Sequence, residues 1–324
     1  MSGSFVQRAL TFTITLGQGQ FGATGYNTVK LTGLRAVVTI QKAGFPSMDQ
    51  AQIRIYGVQP SIMNQISTLG MQPGMVRVFN TVTIEAGDAV NGMAVVYCGN
   101  IQDSYQSFDE APETSLNINC LTGFVAALQP VAPISFPGSA NVATLMSGLA
   151  TTMGMSFENN GVVVYVQSPY LAGTALEQAH ALARMANIEM YIDPVPTPGA
   201  AVAPGSATLA IWPKTGTRGG AIPLISASDG SLVGYPQYRD QGMFFRCLFN
   251  PSLKLNGQVQ IKSTVGNPAP ITSGSGINTT AVAGSPNGIW YIKGPLSYNL
   301  AAQMPGGPWF CDVVCGRLNI AGTA

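Results

Sequence analysis

A phrase that occurs twice constrains this chain more than any other feature. "FNTVTIEAG" spans Phe79–Gly87 and "FNPSLKLNG" spans Phe249–Gly257. The flanks match as well. Upstream, "GMVRVFN" begins at Gly74 and "GMFFRCLFN" at Gly242. Downstream, Tyr97, Tyr105 and a strand ending at Cys120 correspond to Tyr291, Tyr298 and a strand ending at Cys315. The spacing differs grossly only where an uncharged Gly/Ser/Pro-rich stretch, 264–287, enlarges the second copy, and surface loops tolerate such insertions. The pattern implies a β unit duplicated within one chain. Duplication has a geometric consequence: three chains would supply six similar units, enough for a ring of approximate six-fold symmetry.

Along the chain the hydrophobic period changes. Residues 9–16, 28–40 and 51–58 alternate or run in β-branched residues, which predicts strands. Pro60 and Gly70 bracket a short predicted helix with apolar Ile62, Met63, Ile66 and Leu69. A second helix is predicted from Ser139 or Ala140 to about Met153, with Val142, Leu145, Met146, Leu149 and Met153 on one stripe. After a strand at 161–168, Thr174 and Glu177 have the spacing of a capping box. They open a helix whose apolar face is Leu176, Ala179, Leu182 or Ala183, and Ala186. "EMYID" closes this part near residue 193, a Pro/Gly/Ala linker covers 194–207, and β character returns at "TLAIWPK". The expected class is α+β, predominantly β. Two antiparallel β domains, 1–124 and 196–324, flank a small α/β module at 125–195.

Composition narrows the function. The chain is 46% hydrophobic and 9% charged, against about 25% charged in ordinary soluble proteins. Surfaces that meet other protein lose charge in this way. No run approaches the roughly 18 apolar residues of a spanning helix, and the alternating N-terminus lacks the apolar centre of a signal peptide. The expectation is a protein made in the cytoplasm, without membrane insertion, that works inside a larger assembly. A net charge of +1 with no Lys/Arg cluster points away from nucleic acid. Cys98, Cys120, Cys247, Cys311 and Cys315 read as buried free thiols.

Candidate chemical motifs each have a plainer explanation. "GQGQFG", Gly17–Gly22, fits G-x-G-x-x-G, but strand-like sequence follows it where a dinucleotide site needs a helix, so it reads as a hairpin loop. His180, the one histidine, lies one helix turn from Glu177 and Arg184 without an activated nucleophile motif, which suits a helix surface or interface. Cys311 and Cys315 would share a strand face, and too few partner ligands accompany them for zinc. Asp109–Glu113, "DEAPE", lacks the alternating ligands of a calcium loop and reads as a solvated turn. Asn278 heads a formal glycosylation triplet that matters only on secretion. Met146, Met153 and Met155 read as core filling. No catalytic, cofactor-binding or metal-ligating residue is assigned.

The phrases "LISASDGSLVGYPQYRDQGMFFRCLFNPSLKLNGQVQIKS" (224–263) and "GIWYIKGPLSYNLAAQMPGGPWFCDVVCGRL" (288–318) resemble the baseplate hub proteins of contractile-tailed bacteriophages, the late-control-D-like family. "AQIRIYGVQPSIMNQISTLG" resembles them too. The resemblance implies two tube-like antiparallel β-barrel domains. It implies a virion protein of the tail baseplate, a homotrimer adapting the hexameric tail tube to the trimeric central spike. Its partners would be the tail tube protein, the spike and other baseplate proteins. No lysozyme-like segment is present, and an enzymatic role is not expected. A β-rich adhesin or carbohydrate-binding surface protein is the alternative; it would show exposed aromatic platforms and a monomer in solution.

Overall fold

The computed structural model describes residues 6–22, 25–44, 47–67, 80–109, 111–197, 207–239, 242–264 and 286–317. The first part of the chain forms β1 (Arg8–Thr15), β2 (Thr28–Thr32), β3 (Ala36–Lys42), β4 (Gln50–Tyr56), α1 (Pro60–Ile66), β5 (Thr81–Asp88), β6 (Gly92–Ser107) and β7 (Ser115–Leu121). The middle forms α2 (Phe124–Leu128), β8 (Ile134–Ser135), β9 (Ser139–Asn141), α3 (Val142–Thr152), β10 (Ser156–Asn159), β11 (Tyr165–Gln167), β12 (Tyr170–Leu171), α4 (Ala175–Ala186), β13 (Ile188–Asp193) and β14 (Thr208–Pro213). The last part forms β15 (Leu224–Ser226), β16 (Leu232–Arg239), β17 (Gly242–Leu248), β18 (Gln258–Lys262), β19 (Gly288–Ala302) and β20 (Trp309–Gly316). The molecule is mostly β, as its alternating segments predict.

One sheet carries both ends of the chain. Its order is β16-β17-β20-β19-β3-β4-β7-β6-β5-β1-β2, with β18 beside β19 and β15 beside β18. Within it a motif recurs. β3-β4-β7-β6-β5 and β16-β17-β20-β19-β18 have the same order, and every neighbouring pair in both is antiparallel. Both long hairpins break register at the same place, between Ile101 and Asp103 in β6 and between Ile292 and Leu296 in β19. Arg54 lies opposite Asn117 on β7, and Arg246 opposite Asp312 on β20. The two halves are joined by the antiparallel pairing of β3 with β19, from Leu296↔Lys42 to Ala302↔Ala36. Among the described residues these pairings give one continuous sheet; they do not close each half into a barrel.

The structural repeat is not aligned as the quoted phrases suggest. By cross-strand register, Thr81–Ile84 corresponds to Gln258–Ile261, because Thr81 faces Asn100 and Gln258 faces Tyr291 on equivalent strands. "FNPSLKLNG" itself forms turns, where Pro251 could not have donated to a ladder. Cys120 and Cys315 do correspond, three residues beyond Asn117 and Asp312. The tyrosine matches do not: Tyr298 stands where the first half has Gln106. "GMVRVFN" lies outside the described residues except for Asn80.

Other boundaries shift for local reasons. The stretch 28–40 is two strands, broken where Gly33 takes a positive φ of 69°. The helix predicted from 139 or 140 starts at Val142, because Asn141 caps it by accepting from the Thr144 N–H while 139–141 pairs as β9 with β11. That pairing also limits the predicted strand at 161–168 to Tyr165–Gln167. α1 ends at Ile66, and 68–70 lies outside the described residues. The capping box of Thr174 and Glu177 is present, and Leu176, Ala179, Leu182, Ala183 and Ala186 are buried as predicted.

Two cores result. The larger fills the long sheet from Phe12, Ile14 and Ile84 to Phe245, Ile261 and Leu300. The smaller packs α3 and α4 against the three-stranded sheet β10-β14-β13. β14, although it lies past the 194–207 linker, is the central strand of that small sheet.

Candidate functional site

In a chain so poor in charge, the fold gathers ionic groups at one place. Lys42 follows Val38 and Ile40 at two-residue spacing, so strand alternation turns it inward, and it is 2% exposed at the end of the β3–β19 seam. Tyr191 and Asp193 share the inward face of β13 by the same rule, and both are buried. Arg218 arrives from the segment after β14 and is also buried. Lys42 Nζ meets Asp193 Oδ1 at 3.3 Å. Arg218 donates to Asp193 Oδ2 at 2.6 Å and to both Glu158 oxygens at 2.8 and 3.2 Å. The Tyr191 hydroxyl is hydrogen-bonded to Asp49, whose other oxygen accepts from the Ala43 N–H at 3.0 Å. The guanidinium also reaches the Leu255 carbonyl at 3.5 Å. This network therefore ties the first half, the module and the last half at one joint.

Environment sets the protonation of the joint. Burial raises the Asp49 carboxyl to about 7, although Tyr191 and Lys42 pull it the other way. Burial would also raise Asp193, but Lys42 and Arg218 outweigh it and hold its carboxyl well below the usual range. Arg218 is buried yet held strongly protonated by Asp193 and Glu158. Beside the joint a cleft of about 1010 Å³ opens between β1, β5 and β6 on one side and residues 217–222 and 251–258 on the other. None of these residues was singled out from the sequence. The signal was available in part: a Lys two places beyond Ile40 in an alternating strand is an inward charge that requires a partner.

The motifs weighed from the sequence are scattered. Gly17–Gly22 lies in the connection between antiparallel β1 and β2, with no helix following it. His180 is half-buried on α4, and burial followed by Arg184 lowers its pKa. All five cysteines are buried free thiols. Cys311 lies opposite Cys247 on β17. Asp109 and Glu113 flank a turn, with Glu113 paired to Arg35 at 2.7 Å. Met146 is fully buried, and Met153 and Met155 pack on the smaller core. Asn278 and nearly all of 264–287 lie outside the described residues. Among the described residues no His, Cys, Asp and Glu cluster has the makings of a metal site, and no helix is long and apolar enough to cross a membrane.

A duplicated antiparallel unit is thus locked at a charged joint in a charge-poor chain. Comparison with known proteins supplies the family: the model described as Baseplate hub gp41 matches residues 9–270. The chain belongs to the baseplate hub gp41 family. No curated protein sequence matches this hub-family chain. Solved structures share its fold at low identity. A 43 kDa tail protein of prophage MuSo2 from Shewanella oneidensis is 11% identical, with a TM-score of 0.51 over 97% of this chain and 98% of that one. A tail protein from Neisseria meningitidis MC58 is 7% identical, with a TM-score of 0.53 over 94% and 96%. An E. coli component of the type VI secretion system, structurally similar to the T4 tail proteins gp27 and gp5, is 7% identical, with a TM-score of 0.53 over 93% and 76%. The hub-family chain thus belongs with phage tail structural proteins by its family, and it shares a fold with these solved structures.

Proposed function

We propose that three copies of this baseplate hub protein close a ring at the base of a contractile tail, adapting the hexameric tail tube to a trimeric central spike. The observation that carries this reading is the recurrence of one five-strand order in both halves of the sheet. Three chains then present six near-equivalent units upward and three identical faces downward. The two halves, taken as residues 1–124 and 196–324, act as tube-like β domains, with the module at 125–195 between them and β14 reaching back into it. The role is structural. Scarce surface charge suits large contacts with tube, spike and baseplate neighbours, and the protein would be made in the bacterial cytoplasm and reside in the virion.

Native mass spectrometry of the purified chain, alone and mixed with its tube and spike proteins, tests this. Three copies per complex are expected. A chain that remains monomeric in every mixture overturns the reading.

A further inference from the structure

The charges at the joint do not balance. Lys42, Asp49, Asp193 and Arg218 are all buried. Lys42 and Arg218 are both bonded to Asp193, and Arg218 also holds Glu158. The two cations are thus taken up by two carboxylates, and among the described residues no cation is bonded to the third, Asp49. Its partners are neutral donors instead. Oδ1 accepts from the Ala43 N–H at 3.0 Å, and the other oxygen is hydrogen-bonded to the Tyr191 hydroxyl. Around Asp49 stand Lys42 from β3, Tyr97 from β6, Tyr191 and Asp193 from β13, Tyr298 from β19, and Arg218, which lies over the Tyr191 ring. An ionised Asp49 would place another negative charge beside Asp193 and out of water, which is costly unless the charge is paired. A proton removes that charge and keeps both contacts, because the carboxyl O–H can donate to the Tyr191 oxygen while Oδ1 still accepts from Ala43.

Asp49 also stands where the first half meets the module. Its carbonyl accepts from the Thr122 N–H at 2.9 Å, just past β7, and from the Tyr97 hydroxyl at 3.4 Å. Its side chain reaches β13 of the module through Tyr191. We propose that Asp49 and Tyr191 form a proton-binding latch: with the proton in place the first half is held to the module, and loss of the proton loosens the joint. Burial raises the carboxyl to about 7, where an exposed aspartate lies near 4, so the latch releases close to neutral pH. The neighbouring cleft is lined by Lys42, Asp193 and Arg218, which brings solvent to the partners of the latch. Linkage fixes the sign. A carboxyl raised on folding contributes fully below about pH 4, and that contribution is lost as pH rises to about 7. Asp193 is shifted downward, so its own contribution is lost only at acid pH. His180 is lowered by burial, so it acts in the opposite sense, adding stability as pH rises.

The latch goes beyond the proposed ring and does not depend on it, so its test reads the folded chain and not the number of copies. The full chain is compared with Asp49→Asn, which keeps both contacts and cannot ionise, in urea unfolding from about pH 5 to 8. The ratio of the wild-type unfolding constant to that of the variant should rise at least tenfold between about pH 5 and 7 and level off above; a smaller rise overturns the latch. Amide exchange in Ile188–Asp193, corrected for its intrinsic pH dependence, should quicken at least tenfold from about pH 6 to 8 in the wild type only. Unchanged protection would mean that the proton leaves without loosening the joint, and the latch falls. Should Asp49→Asn not fold, carbon-13 NMR of wild-type chain labelled at its aspartate carboxyls decides. One carboxyl is expected to titrate at about 7, and a full set titrating below about pH 5 overturns the proposal.

Discussion

The two halves of the long sheet share a strand order but finish it differently. Beyond β5 the first half adds β1 and β2 antiparallel, whereas beyond β18 the last half adds, among the described residues, the three-residue β15 in parallel. Above the long hairpin, the first half uses α1, whose Ile66 carbonyl accepts from the Ser104 hydroxyl. The last half uses the turns at 249–257, where the Leu253 carbonyl accepts from Tyr298 at 3.0 Å. The five repeated strands are what a ring of equivalent units requires; the additions are free to differ. The two halves therefore share pairing order and differ in their ends, their caps and several inward-facing residues, such as Tyr298 against Gln106.

The largest effect should come from separating the halves at their joint. Arg218→Ala removes the cation shared by Asp193 and Glu158, leaving a buried carboxylate with Lys42 alone. Breaking a buried pair by removing one partner costs about 3–5 kcal/mol, so the urea midpoint should fall sharply. Loss of under about 1 kcal/mol would mean that the seam alone holds the two halves. A smaller, paired effect tests equivalence directly. Ile84 and Ile261 are fully buried at corresponding register positions. Each Ile→Ala change should cost about 2–5 kcal/mol, and the two should agree within about 1 kcal/mol in equilibrium unfolding. A large inequality would show that the halves are alike in path only.

How much of this was legible in the sequence follows from what alternation can and cannot encode. β1, β4 and β5 were readable because one face had to be apolar, and α4 because Thr174 and Glu177 spell its start. The duplication was readable as a fact but misaligned. The identity of the Phe-Asn pair and of the Gly eight residues on outweighed the true match of "TVTI" with "QVQI". The joint was hidden for a different reason. Lys42, Asp49, Glu158, Asp193 and Arg218 are far apart along the chain, and only the folded sheet brings them within bonding distance. The break of 28–40 at Gly33 and the start of α3 at Asn141 turned on single backbone and capping choices that apolar patterning does not record.

The smallest predicted effect sharpens the comparison most finely. Arg54 donates to the Asn117 amide oxygen at 3.0 Å, while its counterpart Arg246 donates to both Asp312 carboxylate oxygens at 2.7 and 3.1 Å. Both sit at the same register, one opposite an amide and the other opposite a carboxylate. Arg246 is 42% exposed in its side chain, and solvent-screened pairs are worth about 0.2–1 kcal/mol. A double-mutant cycle on Arg246 and Asp312 should give a coupling in that range that shrinks between low and about 1 M salt, where the Debye length falls to about 3 Å. The cycle on Arg54 and Asn117 should give a coupling that salt changes less, because only one partner carries charge. Equal salt dependence in the two cycles would mean that the Asp312 charge contributes nothing beyond its hydrogen bonds, and that the two pairs are energetically interchangeable despite their sequences.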